Sequence, residues 1–267
     1  MMAIFAKDAL LGKHIMITGA TGGIGYEAAK AAVQAGAAIT ITGRDSEKLY
    51  QLKDECIALD GRAHVLSVPA DLNKEDDRKH VIQEAIKEVG PVYGLVNSAG
   101  KTGGGALEDL SEEELRSTME LNFFSTVLFT QEVYREMKQH QNGAIVNLSS
   151  LSGLRGTYGN TAYSGSKFAI TAFTQSFAYE AIQHNIRVNA VCPGFVDTEM
   201  GRNSIASIGE REGRNFEEQL EVAEQGLPSG RITQPEEVAN SILFLLTDAA
   251  ENIVGESLKI SGGGVMR

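Results

Sequence analysis

The chain has 267 residues, 42% hydrophobic and 22% charged, with a formal net charge of -11. That is the composition of a globular chain with a real core, and its acidic balance argues against a phosphate-tracking basic surface, so nucleic acid is not an expected partner. Cys56 and Cys192 stand in no CxxC or Cys/His cluster. Neither a disulfide framework nor a metal site is therefore expected, and a reducing cytoplasm suits them. The opening MMAIFAKDALLGK lacks a basic-then-apolar signal pattern, and no apolar run reaches the ~18 residues of a membrane span, so neither secretion nor membrane insertion is expected.

Short apolar, β-branched runs recur along the chain: His14 to Ile17, Ala38 to Ile41, Ala63 to Leu66, Val92 to Val96, Ala144 to Asn147, Ile186 to Val191 and Ser257 to Ile260. They read as buried strands. Between them lie stretches with helical spacing, such as Ile24 to Ala35, Glu47 to Leu59 and Lys74 to Val89. Strand-helix alternation of this kind predicts an α/β fold: one doubly wound, Rossmann-type domain over residues 1–267, with a mostly parallel sheet of about seven strands and helices on both faces. Ligands belong at the carboxyl ends of such strands. No linker or repeat divides the chain, and residues 198–229 are the least regular stretch, with few β-branched residues and four glycines, which reads as a substrate lid.

The first strand runs into Thr18-Gly19-Ala20-Thr21-Gly22-Gly23-Ile24-Gly25, and a helical pattern starts at once. Glycines there let the backbone approach a ligand, while the helix N-terminus offers free N–H groups to a pyrophosphate. The spacing is GxxxGxG rather than GxGxxG, and an ordinary tight turn is the competing reading. The second strand ends in Gly43-Arg44, where dinucleotide-binding folds read the adenosine ribose. An acid there would favour NAD, whereas Arg44 suits the 2′-phosphate of NADP; a solvated arginine is the alternative. Tyr163 and Lys167 stand four apart at the start of a helical pattern that reaches about His184, so they share one face. An ammonium beside a phenol favours phenolate and brings it closer to acid/base work near neutrality.

The glycine turn, Asn97-Ser98-Ala99-Gly100, Ser150, Tyr163 to Lys167 and Pro193-Gly194 occur in the order seen in short-chain dehydrogenases/reductases, and the chain resembles that family's ordinary single-domain branch from about Leu11 to Gly264. The resemblance implies that Tyr163 is proton donor or acceptor, Ser150 polarises the substrate oxygen, Lys167 binds the nicotinamide ribose and lowers the tyrosine pKa, and Asn122 holds a proton-relay water. For the cofactor it implies Gly19, Thr21, Gly22, Gly23, Ile24 and Gly25 at the phosphates, Arg44 at the 2′-phosphate, and Asp71 and Leu72 at the adenine. Asn97, Ala99 and Gly100 would lie beneath a ribose, Tyr163 and Lys167 would contact the nicotinamide ribose, and Pro193, Gly194, Val196 and Thr198 would lie toward the carboxamide. The family usually reads Asn-Asn-Ala-Gly where this chain has Asn97-Ser98-Ala99-Gly100.

The expected activity is NADP-dependent hydride transfer between nicotinamide and a small carbonyl or alcohol substrate, with NAD the less favoured cofactor. The core and the ending Gly255 to Gly263 also resemble 3-oxoacyl-acyl-carrier-protein reductases, and a cofactor-sensing protein without catalysis is the other alternative. Docking an acidic carrier calls for basic residues, and the regions expected to supply them read Lys138-Gln139-His140-Gln141-Asn142-Gly143 and Tyr179-Glu180, which points to small free carbonyl compounds instead. Phe168, Ile170, Phe173, Phe177, Ala181 and Ile182 make an apolar helix surface wider than a sheet contact needs, so a homo-oligomer is expected, a tetramer by resemblance.

Overall fold

In the computed structural model, which describes residues 5–103 and 105–266, the seven strands form one parallel sheet of order β3-β2-β1-β4-β5-β6-β7. The strands are β1 (His14–Thr18), β2 (Ala38–Gly43), β3 (Val65–Pro69), β4 (Gly94–Asn97), β5 (Gly143–Leu148), β6 (Ile186–Pro193) and β7 (Ser257–Ile260). The main helices are α1 (Gly23–Gln34), α2 (Ser46–Leu59), α3 (Glu75–Glu88), α4 (Glu112–Met119), α5 (Ser125–His140), α6 (Thr161–Ala181), α7 (Glu199–Glu212), α8 (Phe216–Gln225) and α9 (Pro235–Leu246). The doubly wound fold expected from the alternating pattern is thus present.

Period-2 alternation explains the two cores. In β1, Ile15 and Ile17 join the buried cluster with α1, α2 and α9, while Met16 joins the other with Val81 of α3, Phe129 and Val133 of α5 and Phe177 of α6. A strand covered on both faces must be apolar throughout, which is why β1 and β6 carry no exposed position. Chain order reverses at β1, which pairs with β2 on one side and β4 on the other, so a crevice opens at the carboxyl ends of β1 and β4. The far edge is tied down by the buried Arg187 of β6, whose Nη1 donates to Leu245 O at 2.6 Å and whose Nη2 donates to Thr247 O at 3.2 Å, capping the carbonyl end of α9.

Residues 198–229 depart from the expected irregular stretch. They fold as α7 and α8 joined by a short turn. Thr198 caps α7 by accepting from Gly201 N at 3.1 Å, Gly213 ends it at φ 71°, and Asn215 and Glu218 form a reciprocal capping box on α8. These end signals specify a helical pair even where β-branched content is low.

Candidate active site

The carboxyl ends of β1, β4, β5 and β6 hold the residues singled out by motif. Gly19 turns out of β1 at φ 63°, and a Cβ there would stand 2.6 Å from the Ala99 backbone, so the glycine turn and the Asn97 to Gly100 loop touch only because Gly19 has no side chain. Thr18 Oγ1 secures the same junction by accepting from Ser98 N at 3.1 Å and Ala99 N at 3.3 Å. Thr198 belongs to this crevice as well, since a Cβ on Gly23 would lie 3.0 Å from its Cβ.

The start of α1 fits an anionic guest. Gly22 and Gly23 are exposed, Gly22 offers no side-chain cap, and no acid occupies the first turn, so the leading N–H groups and the positive end of the helix dipole have no anion of the chain's own. Arg44 is exposed just beyond β2, and a Cβ on the preceding Gly43 would lie 3.1 Å from Thr21 Oγ1, which brings the arginine to the side of the glycine turn. Among the described residues Arg44 has no ion pair. Leu72 is buried with its carbonyl held by Arg78 Nη1 at 2.8 Å, and Asp71 Oδ1 accepts from Asn73 N at 3.1 Å. Asn97 turns its side chain into the core, to Thr130 Oγ1 and Asn147 Oδ1, both at 2.8 Å. Only its backbone and those of Ala99 and Gly100 are left to wall the crevice.

Ser150 follows β5, and its Oγ accepts from Ser152 N at 3.1 Å. Tyr163, in the first turn of α6, is half-buried, and burial pushes its phenol pKa up while a hydrogen bond with the Ser150 hydroxyl works against the rise. Lys167 is buried, its Nζ 5.7 Å from the Tyr163 ring centroid and donating to Leu148 O at 2.7 Å. Burial pulls the lysine pKa down to about 8, opposed by the Cys192 side chain of β6. The resemblance implied that Lys167 lowers the tyrosine pKa. In this geometry desolvation raises the phenol, while the Lys167 ammonium is directed at a main-chain carbonyl.

Asn122 lies in a five-residue π-helical turn, Glu120–Phe124, between α4 and α5. Such bulges recur at functional sites because they re-aim one side chain within a continuous helix. Asn122 Nδ2 donates to Lys101 O and Ser166 Oγ, both at 2.9 Å, and its Oδ1 accepts from Lys101 N at 2.8 Å. Both amide protons are thereby used. A Cβ on Gly100 would stand 3.2 Å from Asn122 Oδ1 and 3.6 Å from Lys167 Nζ, so the loop after β4 passes directly beside both.

Sequence reasoning missed Thr18, Ser149 and Ser166. Ser149 Oγ donates to Lys167 O at 3.0 Å and pairs with Thr171 Oγ1 at 2.9 Å, fastening α6 to the end of β5. Ser166, three residues after Tyr163, carried only its spacing as a signal. Pro193 ends β6 and Gly194 follows it, its N donating to Ile260 O at 3.0 Å, and Val196 bridges to Thr233.

The short chain dehydrogenase family profile matches residues 13–208. A 3-oxoacyl-acyl-carrier-protein reductase of Thermotoga maritima is 35% identical over 259 residues, covering 96% of this chain and 99% of that protein. An acetoacetyl-CoA reductase of an Acinetobacter species is 34% identical, covering 94% and 97% respectively. Among solved structures, an actinorhodin polyketide ketoreductase variant with NADPH superposes with a TM-score of 0.92 at 29% identity, covering 98% of this chain and 99% of that one. Levodione reductase superposes with a TM-score of 0.90 at 26% identity, covering 95% and 98%. This chain belongs to the short-chain dehydrogenase/reductase family and is an oxidoreductase that acts at a CH–OH/C=O centre with a nicotinamide cofactor.

Proposed function

We propose that the protein is an NADPH-dependent reductase of small carbonyl compounds, with Tyr163 as proton donor. The observation that carries this reading is the convergence of Ser150, Tyr163, Lys167 and the Asn122 turn on one crevice from three separate elements. A bound nicotinamide supplies the hydride. Gly19, Thr21, Gly22, Gly23, Ile24 and Gly25 would hold its phosphates, Asp71 and Leu72 its adenine, and Pro193, Gly194, Val196 and Thr198 its carboxamide end. Arg44 would pair with a 2′-phosphate, which favours NADP over NAD.

The chain's own residues handle the substrate oxygen. The Ser150 and Tyr163 hydroxyls bond to each other, and each can give up that mutual bond to turn its single proton to a substrate carbonyl oxygen, polarising it before the proton moves from Tyr163. A raised phenol pKa keeps that proton in place until charge develops on the oxygen. Lys167, with a pKa of about 8, stands one turn along α6 with its ammonium on Leu148 O, so it resupplies that proton through an intervening water rather than directly. The residue 198–229 pair of helices closes the crevice as a lid and excludes water. Tyr163→Phe should lower kcat by a factor on the order of 10³ and leave NADPH affinity within threefold. Retention of a tenth of the activity would sink the assignment.

The printed activities of the relatives favour a second reading, reduction of a 3-oxoacyl thioester on a carrier. The surface expected to dock a carrier is sparse in cations. Tyr179 is 81% exposed beside Glu180, and Lys138 Nζ lies 5.5 Å over the Tyr134 ring. Comparing kcat/KM for a carrier-bound 3-oxoacyl thioester and for free ketones at one ionic strength decides between them.

A homo-oligomer, a tetramer by resemblance, is part of this proposal, as is a cytoplasmic setting for two buried, free cysteines. The apolar face is composed differently from the surface expected on α6. Ile170, Phe177 and Ala181 are spent on the chain's own core, whereas Phe168 of α6 remains exposed with Phe124, Leu128 of α5 and Leu115 of α4. Light scattering that finds only monomer mass at micromolar concentration would refute a partner on this face.

A further inference from the structure

Arg211 sits near the end of α7, and its guanidinium packs on the loop that leads from Ser150 to Tyr163. Gly159 has φ 66°, and a Cβ there would collide with the Arg211 guanidinium, so the loop makes room for the cation by placing a glycine beneath it. On its other side Arg211 Cζ lies 5.8 Å from the Tyr158 ring centroid. The loop is anchored at the reacting groups: Asn160 Nδ2 donates to Ser152 Oγ at 3.3 Å, and Ser152 N donates to Ser150 Oγ. The cation of the lid helix α7 is thus held against Gly159, four residues before the proposed proton donor.

What holds Arg211 there is not an acid. Arg62, Arg78, Arg116, Arg202, Arg214 and Arg231 each pair with a carboxylate, and Arg187 is satisfied by carbonyls. Besides Arg187, the arginines with no ion pair among the described residues are Arg44, Arg135, Arg155 and Arg211. Arg44 is where a cofactor phosphate is proposed. Arg155 is exposed on the same loop as Gly159, so two of these four guanidiniums belong to that loop or rest on it, in a chain with 35 acidic and 24 basic side chains. An exposed guanidinium that rests on an aromatic ring and a glycine rather than on an acid keeps its donors free for a planar or tetrahedral anion.

We propose that Arg211, assisted by Arg155, binds an anionic group on the substrate, so that the preferred substrates are ketones carrying a carboxylate or a phosphate remote from the reacting carbonyl. This rests on the ketone-reductase reading above and names the substrate class of that site. Two matched pairs test it with NADPH: acetoacetate against methyl acetoacetate, and acetoacetyl-CoA against the neutral acetoacetyl-N-acetylcysteamine thioester.

The native enzyme should favour the anionic member of at least one pair by tenfold or more in kcat/KM, with the preference shrinking as salt is raised. Arg211→Ala should cut that ratio about tenfold through KM, Arg211→Lys should keep part of it, and Arg211→Glu should reverse it. The pair that responds identifies carboxylate or phosphate as the anion. Equal use of anionic and neutral members by the native enzyme overturns the inference while leaving the reductase reading intact. A ratio within twofold of native in both Arg211→Ala and Arg211→Glu overturns it likewise. No reduction of any of the four compounds overturns the reductase reading and this inference with it.

Discussion

Asn122 and Ser166 are joined by a 2.9 Å hydrogen bond that ties the π turn to the helix bearing Tyr163 and Lys167, and the Ser166 hydroxyl in turn donates a hydrogen bond to the main-chain Tyr163 O at 2.7 Å. Ser166 is completely buried, so this contact is not shared with solvent. It makes Ser166 a positioning residue for the site, acting through Asn122 and the first turn of α6.

A double-mutant cycle should show the coupling. Ser166→Ala should lower kcat by about tenfold and Asn122→Ala by more, since it also removes both bonds to Lys101, and the double variant should lose little more than Asn122→Ala alone, because both remove the contact between the two. NADPH-dependent kcat on one ketone, measured beside thermal unfolding, gives the answer. Losses that simply multiply would show two independent effects.

Lys167 is expected to cost stability while serving catalysis. Its pKa falls from 10.5 to about 8 because burial disfavours the ammonium, so the unfolded chain binds more protons between those values and the group's contribution to stability improves as pH rises from about 8 to 10.5. At pH 7 the folded protein carries the full penalty. Lys167→Met should therefore abolish turnover yet raise the cofactor-free melting temperature by roughly 2–6 °C, the size of a 1–2 kcal/mol change in a chain of this length. A lower melting temperature would mean that the 2.7 Å bond to Leu148 O outweighs desolvation.

Cofactor choice tests the end of β2. The native protein should favour NADPH over NADH, and Arg44→Ala should reduce the ratio of kcat/KM values by about 10- to 100-fold through the NADPH KM, the scale of a charge-assisted pair with phosphate. An equal loss with both cofactors would make Arg44 a surface charge.

His14, at the buried start of β1, bonds Gly90 O and Thr40 Oγ1, each at 2.8 Å, through its two ring nitrogens. Burial lowers its pKa below 6.5. The stability it contributes is therefore fully present above about pH 6.5, and is lost as pH falls through its lowered folded value, because the unfolded chain takes up the proton first. Melting temperatures between pH 8 and pH 5 should fall more steeply for the native protein than for His14→Gln. Parallel curves would remove His14 from the acid response.

The order of elements and the identity of the chemical groups were legible in the sequence because each rests on local information. Alternation along β1 and 3.6-residue spacing along α6 reflect which faces are buried, and Tyr163 and Lys167 share a helix face by spacing alone. The order of motifs around them was enough to point to the family. What the sequence did not show is how those groups are held. Ser166, Ser149 and Thr18 act through bonds between residues 44, 18 and 80 positions apart, and no local pattern encodes such distances.

Tertiary structure also decided matters of sign and surface. Spacing put Lys167 and Tyr163 on one face, whereas the burial that raises the phenol and lowers the amine depends on the packing around them rather than on their separation. The same holds for the lid. Its helices could have been read from Thr198, Gly213 and the Asn215–Glu218 box, but only the folded chain sets Arg211 of α7 on Gly159 and Tyr158, because that contact exists only once α7 packs against the loop before α6.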